Sequence, residues 1–291
     1  MGDTAQWKQA RLGRLWIDVV DFDRALDAIE RLVEAGRGGY VVTPNSDHLV
    51  RAGRDRHFQH AYRAASLSLA DGMPLVWASR LLGTPLPQRV SGADLVVPLA
   101  RRAVRRGWSM YLCGGAPGVA QAAAHRLHAL TGVRIAGFDS PRVAAEPGAQ
   151  GDESEQAVER IRRARPDLLL VALGSPKQEL WLHRHSEQLA PAVGLAIGAA
   201  LDFLAGRVRR APRWVSRAGL EWLYRLGQEP RRLWRRYLVD DPAVLAALWQ
   251  TRRVPRFRRL RDCQPPLARP AERFESGSLL GADGARAEPR D

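Results

Sequence analysis

Asp167-Leu168-Leu169-Leu170-Val171-Ala172-Leu173-Gly174-Ser175-Pro176-Lys177-Gln178-Glu179 is the stretch on which the fold turns. The unbroken apolar run before Gly174 has no polar alternation, so it reads as a strand buried on both faces, the kind found inside parallel sheets. A helix-compatible stretch follows, from Pro176 to about Leu189, with Pro176 near the first helical position. In open α/β sheets ligands bind in crevices at the carboxyl ends of strands. A glycine, a helix start, the amide of Gln178 and the charged pair Lys177 and Glu179 therefore mark a candidate site at this junction.

Outward from this unit the same alternation repeats. Leu15–Val20, Gly39–Thr43, Leu67–Ala70, Trp108–Cys113, Val133–Phe138 and Val193–Ile197 read as strands. Helices are expected over about 23–35, 46–65, 74–82, 92–106, 119–130 and 152–165, the fourth opened by a capping box at Ser91-Gly92-Ala93-Asp94. Strands alternating with helices predict an α/β fold: a Rossmann-like, mainly parallel sheet with helices on both faces.

The chain has 291 residues and a formal net charge of +14. That charge is local. Between Ala205 and Arg261 stand sixteen arginines against only Glu221, Glu229, Asp240 and Asp241, so this segment holds twelve of the fourteen excess charges. Trp214, Leu220, Trp222, Leu223, Trp234, Tyr237 and Leu238 interleave with them. This is the composition of basic amphipathic helices lying on an anionic membrane surface, with an ordinary helical subdomain as the other reading. The expected organisation is a core over 1–205, a basic helical appendage over 206–261 and a Pro/Gly/Ala-rich disordered tail over 262–291. Met1–Arg14 is polar, no apolar run reaches the roughly 20 residues of a membrane span, and the cysteines are only Cys113 and Cys263. These features predict a cytoplasmic chain, peripheral on the inner face of the membrane.

Four strand ends carry polar or glycine residues: Thr43-Pro44-Asn45, Ala70-Asp71-Gly72, Gly114-Gly115 and Gly174-Ser175-Pro176-Lys177-Gln178-Glu179. In a doubly wound sheet they converge on one edge, where glycines let backbone amides approach phosphates and helix starts favour anions. Two readings are open to Asp71, a general base for an attacking hydroxyl or a turn aspartate. Thr43 and Asn45 either bind sugar hydroxyls or cap the helix beginning near Ser46. Gly114-Gly115 lacks the GxGxxG spacing of a dinucleotide site. Lys177 is one of two lysines, with Lys8, and is either a donor contact or an ordinary helix lysine. Asp21-Phe22-Asp23 fits a DxD metal pattern, but Asp23 reads as a helix N-cap. The paired histidines at 57/60, 125/128 and 183/185 lack the partners of a zinc site.

The ordered series Thr43-Pro44-Asn45, Ala70-Asp71-Gly72, Arg89-Val90-Ser91-Gly92-Ala93-Asp94 and Gly174-Ser175-Pro176-Lys177-Gln178-Glu179 continues into the appendage. There it includes Arg210-Ala211-Pro212-Arg213-Trp214, Gly219-Leu220-Glu221-Trp222-Leu223-Tyr224-Arg225 and Glu229-Pro230-Arg231-Arg232. The series resembles the WecG/TagA/CpsF glycosyltransferases, glycosyltransferase family 26, over about 15–237. The resemblance implies transfer of a sugar from a UDP-sugar to a polyprenyl-diphosphate-linked saccharide, with inversion and without a metal or other cofactor. It implies N-acetylmannosamine, its uronic acid, glucuronic acid or glucose as the sugar, for surface polysaccharide or wall polymer. It makes Asp71 the catalytic base, with Thr43 and Gln178 in the same catalytic pocket. Asn45, Gly72, Gly114, Gly115, Gly174, Pro176, Lys177 and Glu179 line the donor side, and Arg225, Arg232 and Arg235 hold the acceptor diphosphate. Arg225 and Arg232, seven apart, share a helical face unless Pro230 breaks the helix. The rival reading is a basic nucleic-acid-binding protein on a Rossmann-like core, which accounts for the arginines but not for the polar strand ends.

Overall fold

A computed structural model describes residues 7–144, 148–208, 224, 227 and 257–258. Six strands form one parallel sheet: β3 (Gly39–Val42), β4 (Leu67–Ser68), β5 (Ser109–Gly114), β6 (Arg134–Asp139), β7 (Leu168–Ala172) and β8 (Val193–Ala196). Their spatial order is β4-β3-β8-β7-β5-β6, and every pairing is parallel. β7 lies inside the sheet and all five of its residues are buried, as its unbroken apolar run predicts.

Successive strand residues point to opposite faces, and the core divides accordingly. Val41, Met110, Leu112, Leu168, Leu170, Val193 and Leu195 pack with helices α1 (Phe22–Glu34), α5 (Gly92–Arg106) and α6 (Val119–Thr131). Tyr40, Val42, Tyr111, Cys113, Leu169, Val171 and Ala196 pack on the other face. There they meet α2 (Ser46–Arg54), α3 (Arg56–Ala64), α4 (Met73–Leu81), α7 (Ser154–Ala164) and α8 (Lys177–Leu189). Ion pairs join α1 to α5, with Arg102 on Asp27 and Glu30 at 2.6 Å each. The short α9 (Ala200–Leu204) follows β8.

Three features differ from the sequence expectation. The helix expected over 46–65 is two helices: Asp55 adopts an extended conformation and accepts a hydrogen bond from the Phe58 amide at 3.0 Å, capping α3. Its short carboxylate favours that role over the helix interior. At the first helix, Asp21 rather than Asp23 is the N-cap, accepting from the Arg24 amide at 2.8 Å. The polar start of the chain contains a strand, β1 (Gln9–Leu12), in a hairpin with β2 (Leu15–Asp18). Gln9 and Arg11 face outward while Ala10 and Leu12 are buried, so half of the strand reads as polar. Buried Asp18 fixes the hairpin to the sheet, accepting from the Ser68 amide at 2.7 Å.

A second sheet, β2-β1-β9, is completed by β9 (Phe257–Arg258), which pairs antiparallel with Gln9 and Ala10. The chain thus leaves the core after α9 and is back against β1 at Phe257. The rest of the basic appendage expected over 206–261, apart from 206–208, 224 and 227, and the whole tail over 262–291 lie outside the described residues. Among the described residues no helix is long and apolar enough to cross a membrane.

One junction is sterically exacting. Gly114 ends β5 with φ +115°, and a Cβ there would fall 2.5 Å from the carbonyl carbon and oxygen of Ala172. Gly132, which closes α6 with φ +77°, has open space where a Cβ would stand. Gly132→Ala is expected to cost about 1 kcal/mol in strain alone, and Gly114→Ala about 3 kcal/mol or more because backbone must move. Denaturant melts of the two variants measure the difference.

Candidate active site

The carboxyl ends of β3, β4 and β8 are tied into one corner. Thr43, just beyond β3 and buried, donates its hydroxyl to the Ala196 carbonyl at 3.0 Å, bridging β3 to β8. The turn after β4 is held from both sides: the Asp71 amide donates to the Pro44 carbonyl and the Val90 amide to the Ala70 carbonyl, each at 2.8 Å. The first turn of α5 presses against this corner. A Cβ on Gly92 would stand 3.1 Å from Ile197 Cα and 3.3 Å from Thr43 Oγ1, so a residue without a side chain lets the helix approach.

Asp71 is half-buried, and the Ser91 hydroxyl donates to its Oδ2 at 3.2 Å. Ser91 occupies the N-cap position of α5 but makes no side-chain cap. The capping box expected here is thus replaced by a contact that orients a carboxylate. Asn45 does cap, accepting from the His48 amide at 3.3 Å, with Gly72 beside it. Of the two readings left open for Asn45, the structural role is present.

The other wall is the start of α8. Gly174 takes φ +75° with open space where a side chain would begin, and its carbonyl accepts from the Gln178 amide at 3.0 Å. Pro176 is the N-cap residue, one place earlier than expected. Lys177 turns away from the helix axis and donates to the Val143 carbonyl at 2.8 Å, so it fastens the loop after β6. Gln178 and Glu179 are both buried. Gln178 Nε2 donates to Glu179 Oε1 at 2.8 Å, which leaves Gln178 Oε1 and Glu179 Oε2 buried without a hydrogen-bond partner. Buried polar atoms of this kind carry an unmet demand for a partner.

Behind Gln178 lies a polar cluster that the sequence reading missed. Tyr62 Oη is 2.8 Å from His48 Nδ1, and Arg51 has a buried Nε without a partner. Burial raises the Tyr62 phenol well above its ordinary range, helped by Glu179, Tyr40, Asp71 and Asp47. Burial also raises the Glu179 carboxyl, opposed by its bonds with Gln178 and Ser175 and by the charge of Arg51. The only signal in the sequence was polar residues at buried helical positions, which does not distinguish such a cluster from a solvated face.

Gly114 and Gly115 sit beside this wall. The Gly115 amide donates to the Ala172 carbonyl at 3.0 Å and the Ser140 hydroxyl to the Gly114 carbonyl at 3.2 Å. The glycine character of Gly114 is accounted for by close packing on the end of β7, and that of Gly115 by its φ of +76° and by the Val119 side chain, 2.7 Å from where a Cβ would stand. Adjacent Cys113 is fully buried, and burial raises its thiol far out of the nucleophilic range.

A cavity of about 680 Å³ lined by Arg162, Arg163, Arg165, Pro166, Leu189 and Pro191 lies at the opposite edge, by the amino ends of β7 and β8. It shares no residue with the polar corner. His183, 3.0 Å from the Tyr40 hydroxyl, is held down to about 4 by burial and by His60 and Arg184, so it is neutral. Among the described residues no group of three or more His, Cys, Asp or Glu side chains is placed to hold a metal ion. Arg225, Arg232 and Arg235 lie outside the described residues. What this edge of the sheet offers is a half-buried carboxylate oriented by a hydroxyl, as a general base requires, and, at the start of α8, a buried amide oxygen without a hydrogen-bond partner.

Residues 10–258 match the sequence model of the Glycosyl transferase WecG/TagA/CpsF family. An N-acetylglucosaminyldiphosphoundecaprenol N-acetyl-beta-D-mannosaminyltransferase of Bacillus spizizenii strain W23 is 32% identical over 217 residues, 74% of this chain and 81% of that protein. The enzyme of the same name from Bacillus subtilis strain 168 is 29% identical over 225 residues, 77% of this chain and 84% of that protein.

The raised Glu179 carboxyl has a thermodynamic signature. Below the ordinary value of 4.5 both folded and unfolded chains carry it protonated, at no cost. As the pH rises past 4.5 the unfolded chain ionises first, so stability is lost through that window. Glu179→Gln is expected to raise Tm at pH 7 by a few degrees and to have no advantage at pH 4, as calorimetry at the two pH values would measure.

Proposed function

The chain belongs to the Glycosyl transferase WecG/TagA/CpsF family, and from that premise we propose that it moves one sugar from a UDP-sugar to a polyprenyl-diphosphate-linked saccharide, inverting the anomeric centre. The two Bacillus relatives support an N-acetylhexosamine as the sugar and an N-acetylglucosaminyl-diphospho-lipid as the acceptor. The observation that carries the mechanism is Asp71, half-buried at the carboxyl edge of the sheet with Ser91 on Oδ2.

In this reading the Asp71 carboxylate takes the proton of the acceptor hydroxyl. The hydroxyl oxygen attacks the anomeric carbon from the face opposite the diphosphate, and the bond to UDP breaks with its electron pair going to the leaving phosphate. Ser91 holds the carboxylate in position, which reduces the reorganisation needed at the moment of transfer. Gln178, its amide nitrogen occupied by Glu179, presents its oxygen as an acceptor for an N–H or O–H of the donor. Arg225, Arg232 and Arg235 meet the acceptor diphosphate, for which planar guanidinium groups are suited. The same appendage holds the protein on the membrane. Charge on the departing diphosphate is met by arginines and by helix-start amides, so transfer is expected to persist in EDTA.

The nucleic-acid reading accounts for the appendage charge alone, while family membership gives the polar strand ends a chemistry. Asp71→Asn is expected to fold normally by circular dichroism and to lose about 10²–10⁴ in kcat, the span of general-base catalysis. Ser91→Ala should lose about tenfold, as a group that orients the base. Transfer of radiolabelled sugar to a lipid-linked acceptor measures both, and near-normal turnover by Asp71→Asn would sink the assignment.

A further inference from the structure

Among the described residues the most exposed large apolar side chain is Leu81, at 83%, and Trp77 is 44% exposed. Both stand on α4, four residues apart and so on one face, with half-buried Met73 a further turn back and exposed Arg80 between them on the same side. The opposite face of α4, Leu75, Val76, Ala78 and Ser79, is buried. The other exposed large apolar groups, Val104, Leu130 and Phe138, are scattered singly over α5, α6 and β6. A lone exposed leucine needs no explanation, whereas a tryptophan–leucine stripe flanked by arginine on one helix face is the pattern of an interfacial helix.

The stripe stands next to the proposed base. α4 begins two residues after Asp71, and Met73 to Leu81 spans about 12 Å along the helix. The names of the relatives put only two phosphates between the accepting sugar and the lipid. A bilayer delivering such an acceptor to Asp71 must therefore come within a sugar and a diphosphate of it. The chain comes back to the same side of the core after its basic segment: α4 packs on β1, and β1 also pairs with Phe257–Arg258, which follow thirteen arginines and four acidic residues between 206 and 256.

Building on the acceptor reading above, we infer that α4 is a membrane-contact element of the core: Trp77 and Leu81 enter the headgroup–acyl boundary of an anionic phospholipid bilayer, with Arg80 on the phosphates. The core then takes part in docking with the appendage, and the helix that follows the base sets the base's height above the lipid surface.

The test uses the full chain and vesicles of phosphatidylethanolamine and phosphatidylglycerol. Trp77→Gln/Leu81→Gln is expected to lower vesicle flotation about tenfold or more, the scale set by losing two inserted apolar side chains. Leu130→Gln, equally apolar to polar but on α6, should float like the parent. Transfer to a vesicle-embedded acceptor should fall with flotation, while transfer to a water-soluble acceptor with a short prenyl chain stays within about twofold. Unchanged flotation overturns the inference. So does equal loss on both acceptors, which would place the stripe against the chain's own 209–256 segment, or a shift from oligomer to monomer on sedimentation, which would place it against a second copy. If the parent glycosylates neither acceptor, the functional reading fails, and flotation still decides the role of α4.

Discussion

Close backbone approach along the carboxyl edge of the sheet is the constraint on which the site depends. Gly114 meets the carbonyl of Ala172, Gly92 meets Ile197, and Thr43 bridges to the Ala196 carbonyl. Each contact joins two elements distant in sequence, and each sets a loop that carries a functional group. With the ends of β3 and β8 joined, the Asp71 turn has amide partners on one side in Pro44 and on the other in Val90. Asp71, the base proposed above, thus points from a frame held at several places, which keeps a carboxylate oriented without burying it outright.

The polar interior behind this edge is costly. Glu179 and Gln178 are buried, and Gln178 Oε1, Glu179 Oε2 and the nearby Arg51 Nε lack hydrogen-bond partners. Unpaired buried groups of this kind cost stability unless a ligand or an ordered water supplies the missing bond. The arrangement is therefore what a pocket destined to receive a polar ligand looks like, and poor design for a site concerned only with stability. Under the function proposed above, that ligand is the glycosyl donor.

Much of the fold was legible because its signals are local. The unbroken apolar run of β7, the alternation of strand and helix, and the polar residues at strand ends each follow from a few consecutive residues. The polar starting strand β1 was missed because one face is solvated, and the break at Asp55 because a capping aspartate and a helix-interior aspartate look alike in one sequence. Of the site, Thr43, Asp71 and the Gln178 turn were recognisable as strand-end groups. Ser91 was read as a cap, since nothing local reveals that its hydroxyl turns to a residue twenty positions away. His48, Arg51 and Tyr62 were invisible for the same reason: their roles are set by the packing of α2 and α3 on α8. Lys177 shows the converse, since its rarity drew notice and its observed bond is to a loop carbonyl.

The central claim is that the carboxyl edge of β3, β4, β7 and β8 is the place where the sugar nucleotide meets its acceptor. A crystal structure of the full chain with UDP tests it most directly. The account predicts UDP against the Gly174–Gln178 turn, with the terminal phosphate facing Asp71 across the corner that Thr43 and Ser91 build. UDP bound instead in the arginine-lined cavity by Pro166 and Pro191, at the other edge of the sheet, would contradict it.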